Sequence, residues 1–303
     1  MTIEDTTSTT VPRGRALRRR PPTRYVIVGI VAVLALLGAL VGPTVLGYFS
    51  NPSAKDKIAA DPPPTLFPAT SISRIDALTA PQPAKASTLL EGWWKQHGTQ
   101  ADDAGFQAWL EATFPAPPSQ TERTQEMAEL TKLDNARTPA GITSATWLEA
   151  HGKKDVWKLA AHDQKEYLSE KKGKDLKKAE KDMLKMAKKA ADDISAKDEL
   201  SAPYVVRPSL RSDKTIAPGT VCPCSYPSRH ASVAAASRTL LGQLMPQRDS
   251  EYRWWQDQID YSRLYMAGHF ASDISGGTLL GDMIGDYFLV TREGVSPAQL
   301  PTR

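Results

Sequence analysis

Two histidines, three arginines, two serines and an aspartate fall in three short segments towards the C-terminal end of the chain. The first is Arg207-Pro208 and the second is Pro227-Ser228-Arg229-His230. The third is Ser262-Arg263, followed after five residues by His269 and after three more by Asp273. Guanidinium forks match phosphate oxygens and keep their charge at any relevant pH. An imidazole can attack phosphorus or deliver a proton near neutrality. Backbone N–H groups opening a helix after Ser228 would add an anion site. His269 and Asp273 are four residues apart, so in a helix or tight turn the carboxylate can reach the imidazole and fix its tautomer.

Helices must position these groups. Ser228 has the character of an N-cap, Val233, Ala236, Leu240 and Leu244 follow at helical spacing, and Pro246 stops the run. Further helices are expected over about 250–268 and 272–290. Upstream, Leu89, Leu90, Trp93 and Trp94, then Phe106, Trp109, Leu110 and Phe114, repeat with helical period until Pro115. Another helix is expected from Ser119 towards Leu133, and one from Trp147 to Leu168. After Gly173 a lysine-rich stretch carries Leu176, Ala179, Met183, Ala187, Ala190 and Ile194 on one stripe. No alternating strand pattern occurs, so the expected fold class is all-α, a helical bundle.

These segments resemble the type-2 phosphatidic acid phosphatase superfamily, which also holds the bacterial class A acid phosphatases and the vanadium haloperoxidases. Its signature is K-x6-R-P, then P-S-G-H, then S-R-x5-H-x3-D. The resemblance covers about 197–289 and includes the run His269-Phe-Ala-Ser-Asp273-Ile-Ser-Gly-Gly277. It implies a bundle of the acid phosphatase/vanadium haloperoxidase type. It also implies that His269 is the nucleophile, Asp273 its orienting carboxylate and His230 the acid for the leaving oxygen. Arg207 and Arg263 would clamp the phosphate, helped by Ser228 and the backbone of Arg229. The resemblance implies no metal and no cofactor for a phosphatase, vanadate entering only in the haloperoxidase alternative. A decayed site that merely binds an anion is the third reading. Two positions depart from the signature. The family's lysine is Leu200 here, with Lys197 three residues too early, and the family's glycine is Arg229. Either a different loop lets Lys197 serve, or Arg229 supplies the missing charge.

The chain's 303 residues hold 38 basic and 34 acidic side chains; residues 1–24 take six and two of these, leaving 32 of each downstream. A nucleic-acid reader needs excess positive charge on its folded body, so a nucleic-acid partner is not expected. The arginine-rich 1–24 segment precedes an apolar stretch, 25–49, of the length that crosses a bilayer. It reads as a single anchor with a cytoplasmic basic tail and an extracytoplasmic remainder. Residues 50–86, rich in proline, read as an extended linker, and 87–303 as the phosphatase-like domain. The expected ligand is a phosphorylated small molecule or a lipid phosphate. Cys222 and Cys224 read as a local brace, His97, His151 and His162 as surface residues, and Trp254 and Trp255 as core or pocket wall. Gly277, Gly281 and Gly285 form a stripe suited to close helix packing.

Overall fold

A computed structural model describes residues 52–164, 166–211 and 224–300. The expected anchor, the basic tail and Cys222 lie outside them. Among the described residues the chain is all-α, without a strand; one isolated bridge pairs Ser201 with Cys224, which is disulfide-bonded. No helix among them is long and apolar enough to cross a membrane.

Three helices form the centre: α11 (Arg229–Leu244), α12 (Asp249–Tyr265) and α13 (Ala271–Glu293). The Ser228 hydroxyl accepts from the Ala231 N–H at 3.4 Å and so caps α11. Helices α11 and α13 touch through the glycine stripe. A Cβ at Gly277 would collide with the Ser228 carbonyl, one at Gly281 with the Ser232 carbonyl, and one at Gly285 with Thr239. Glycine there lets two backbones approach where any side chain would hold them apart.

The long helix α9 (Glu170–Asp198), which precedes the one-turn α10 (Pro203–Val206), lies against α11 and α13. Its stripe from Leu176 to Ile194 is buried as the periodicity requires, and its lysines lie mostly on the other face. Gly173 does not precede this helix but sits in its first turn, where a Cβ would meet the Gln164 side chain.

Upstream lie α4 (Gln82–His97), α5 (Asp103–Thr113), α6 (Gln120–Asn135), α7 (Pro139–His151) and α8 (Asp155–His162). The single helix expected over 147–168 is thus split. The Gly152-Lys153-Lys154 turn divides it, and Gly152 is pressed against Ile259 of α12.

The expected extended linker is the main correction. Most of 54–86 is helical, with α1 (Ala54–Ala60), α2 (Ala69–Ile72) and α3 (Asp76–Thr79) ahead of α4. Pro62, Pro63 and Pro64 lie in the non-helical stretch 61–68. Its other three prolines stand where helices begin: Pro68 and Pro81 are N-caps, and Pro83 lies in the first turn of α4. Proline is harmless there, because the first helical N–H groups have no intrahelical acceptor. Burial of Phe67, Ile72 and Ile75 joins the segment to the core. The Gln258 amide also clasps Phe67, accepting from its N–H at 3.0 Å and donating to its carbonyl at 2.7 Å. His151 is corrected too. It is buried between Asp61 (2.9 Å) and Asp155 (3.3 Å), a tie between this segment and α7–α8. His97 and His162 are exposed as expected.

Gly281→Ala should destabilise the chain by roughly 1–3 kcal/mol or more, because the new methyl has no room between α11 and α13. Gly92→Ala, with open space around its Cβ, should be neutral or slightly stabilising in the same denaturant titration.

Candidate functional site

His269 stands in the turn between α12 and α13, two residues after Ala267, whose φ of 52° reverses the chain. The His269 Nδ1 lies 2.9 Å from the Ser225 carbonyl. A carbonyl can only accept, so the proton of the neutral ring sits on Nδ1 and the lone pair is on Nε2. That is the tautomer a nucleophilic imidazole needs. The expected orienting role of Asp273 is not what the geometry shows. Its Oδ2 is 3.8 Å from Nδ1, beyond hydrogen-bond reach, and a backbone carbonyl does that work.

Asp273 is instead a structural anion. It is fully buried, and its Oδ2 accepts from the Phe270 N–H at 2.7 Å, which caps α13. Its Oδ1 receives the Arg123 guanidinium at 3.2 Å. Arg123, itself buried in α6, also donates to the Ser201 carbonyl at 2.7 Å and the Ser225 hydroxyl at 3.3 Å, and lies 4.1 Å over the Phe270 ring. One turn later, Glu126 accepts from the Ser272 N–H at 2.8 Å and hydroxyl at 2.7 Å. Burial pushes the Glu126 carboxyl above its ordinary range. The Ser228 N–H donates to the Asp273 carbonyl at 2.9 Å. These bonds tie α6, the 225–228 loop and the start of α13 into one frame behind His269.

In front of the frame lies a charged group centred on Glu149 of α7. Its Oε2 makes a close ion pair with Arg263 Nη1 and lies 3.4 Å from His230 Nε2, and its Oε1 receives the Lys153 ammonium at 3.2 Å. Arg263 is buried and also donates to the Ala145 carbonyl at 3.1 Å and the Ser262 hydroxyl at 3.0 Å. Burial pulls its pKa down to about 9, so it remains a cation at neutral pH. His230 is buried in the first turn of α11. Desolvation, with Lys153, His269, Arg229 and Lys188 around it, holds its pKa well below the ordinary value. Both of its Nε2 neighbours, the Glu149 carbonyl and carboxylate, are acceptors, so the neutral ring carries its proton on Nε2.

Lys153 and Lys188 have no counterpart in the motifs. Both are half-buried, and desolvation first, then neighbouring cations, depresses their pKa values, that of Lys188 to about 8. Arg229 joins this group and pairs with Asp192 at 3.2 Å, one turn along α9 from Lys188.

Among the described residues no contact joins Arg207 or Lys197 to it. Arg207 is exposed and donates to the Thr131 hydroxyl, and Lys197 is exposed and donates to the Glu111 carbonyl at 3.3 Å. Ser228 is buried and engaged as a cap. Among the described residues no cluster of three or more His, Cys, Asp or Glu side chains could hold a metal ion. Trp255 lines a separate, shallow cleft with Trp147 and Leu159, while Trp254 is exposed.

Helices α6, α7 and α9 and the 152–154 turn therefore contribute Arg123, Glu149, Lys188 and Lys153, which no motif marks. Local hints did exist: Glu149 and Lys153 are a helical i,i+4 pair, and Arg123 and Glu126 are one turn apart. No protein-family model matches the chain, and no curated protein matches it significantly.

Arg123→Leu should leave the Asp273 carboxylate buried without its cation and cost roughly 3–5 kcal/mol of stability. Asp273→Asn added to Arg123→Leu should recover part of that loss. Denaturant unfolding of the two variants beside the parent chain measures both.

Proposed function

We propose that this chain is a metal-independent phosphatase that works through a phosphohistidine, on a bundle of the acid phosphatase/vanadium haloperoxidase type. The observation that carries the reading is the pairing of tautomers: His269 presents a lone pair at Nε2 while nearby His230 presents an N–H, beside the buried cation Arg263.

In the proposed reaction, His269 Nε2 attacks phosphorus and the bond to the leaving oxygen breaks. The Nδ1 proton stays on the ring, held by the Ser225 carbonyl. Arg263 and Lys153 offset the charge on the equatorial oxygens, a role fixed cations perform without reorganisation. His230 is neutral in the resting site because it is buried among cations. A bound dianion offsets those cations and raises the pKa of His230, so the ring takes up a proton as substrate arrives. It then donates that proton to the leaving oxygen. Water next attacks phosphorus, giving a proton to the now neutral His230; the N–P bond breaks, and phosphate leaves with His269 restored.

The lysine missing at position 200 is supplied in this reading by Lys153 and Lys188 rather than by Lys197. Arg229 adds charge at the rim, and Arg207 stands outside the clamp. The substrate class is a phosphate monoester or a lipid phosphate. The chain's placement follows from its sequence: a single anchor at 25–49, with the catalytic bundle on the extracytoplasmic side.

The full chain should release nitrophenolate from nitrophenyl phosphate in the presence of chelator, and vanadate should inhibit it. His269→Ala should abolish turnover. Lys153→Met should weaken substrate binding roughly tenfold or more, whereas Lys197→Met should change it little. Activity that needs added metal, or that survives His269→Ala, contradicts the mechanism.

A further inference from the structure

We propose that Glu149 is a tethered competitor occupying the phosphate seat, and that a phosphoryl group binds by displacing it. This rests on the phosphatase reading and adds a selectivity device to it. Three groups that would recognise or protonate a phosphoester already hold one carboxylate: Arg263 and His230 meet Oε2, and Lys153 meets Oε1. A carboxylate and one edge of a phosphate present the same pair of oxygens to a guanidinium fork. Arg263 and His230 keep only 6% and 5% of their side-chain surface, so they cannot follow a second anion elsewhere. Glu149 keeps 21%, and its neighbour Lys153 is similarly open at 30%. The Glu149 side chain is thus more open than Arg263 and His230, although its Oε2 is itself shut off from solvent beneath them.

The exchange has a definite electrostatic sense. In the resting state Glu149 keeps the Arg263 charge paired, which burial would otherwise make costly. An incoming monoanionic carboxylate replaces one negative charge with another and gains nothing against an intramolecular rival. A phosphoryl dianion brings two charges to Arg263, Lys153 and the nearby Lys188 and Arg229, and so outcompetes it. Glu149 thus sets a threshold that passes dianionic phosphoryl groups and rejects carboxylates. The side chain also fixes the seat's shape while it is empty of substrate, because its backbone carbonyl and carboxylate both hold His230 Nε2.

The test is orthophosphate binding to the full chain, to Glu149→Gln and to Glu149→Asp, by titration calorimetry at one pH and ionic strength, with thermal unfolding in parallel. Glu149→Gln keeps the shape and removes the charge, so orthophosphate should bind at least tenfold more tightly. That variant should also melt lower than the parent without phosphate and gain more from phosphate. Glu149→Asp keeps the charge with a shorter reach and should fall between the two, which gives a second reading should Glu149→Gln fold poorly. Unchanged or weaker binding in folded Glu149→Gln or Glu149→Asp overturns the inference and makes Glu149 a positioning residue for His230. Absence of orthophosphate binding in the parent and both variants overturns the phosphatase reading and this inference with it.

Discussion

A carboxylate removed from water keeps its charge only if something else supplies the lost solvation, and for Asp273 that is Arg123. The guanidinium reaches Asp273 at 3.2 Å, spans to the Ser201 carbonyl and the Ser225 hydroxyl, and lies across Phe270. Asp273 in turn caps its own helix through the Phe270 N–H. Four parts of the chain distant in sequence are thus fixed to one another through one arginine side chain. The Ser225 carbonyl belongs to that frame, and it decides which nitrogen of His269 carries the proton. On the proposed reading, the reactivity of the histidine therefore depends on an arginine that makes no hydrogen bond to it.

The opposite side of the site is governed by an excess of positive charge. Lys153, Lys188, Arg229 and Arg263 gather about His230, with Glu149 and Asp192 as the anions paired among them. Such an arrangement is costly: burial first, then Arg229 and Lys153, depress the protonation of Lys188, and burial with Lys153, Arg229 and Lys188 that of His230. On the proposed reading an anionic substrate relieves that cost and at the same time provides the conditions under which His230 can hold a second proton. Binding and acid catalysis then draw on the same charges.

Much of the site was legible because helical spacing and motif spacing are local properties. Ser228, His230, Arg263 and His269 stand on or beside helix ends that capping residues and apolar stripes mark in the sequence. Asp273 was found but its nearest cation, Arg123, was not. A four-residue separation permits a contact with His269, here 3.8 Å, and says nothing of a helix 150 residues upstream. The invisible part comes from helices lying 80–150 residues upstream. Nothing in the neighbourhood of Arg123 or Glu149 announces that tertiary packing will carry it to the C-terminal motifs. The proline-rich segment misled for a related reason. Proline disfavours helix interiors but suits their first turns, and only the burial of Phe67, Ile72 and Ile75 reveals which case applies.

The most direct measurement is a crystal structure of the chain soaked with vanadate, which adopts the five-coordinate geometry of phosphorus in transfer. The account predicts vanadium bonded to His269 Nε2, with its equatorial oxygens on Arg263 and Lys153 and the Glu149 carboxylate turned out of the seat. Vanadate bound elsewhere, or Glu149 still held between Arg263 and His230 at saturating vanadate, would contradict it.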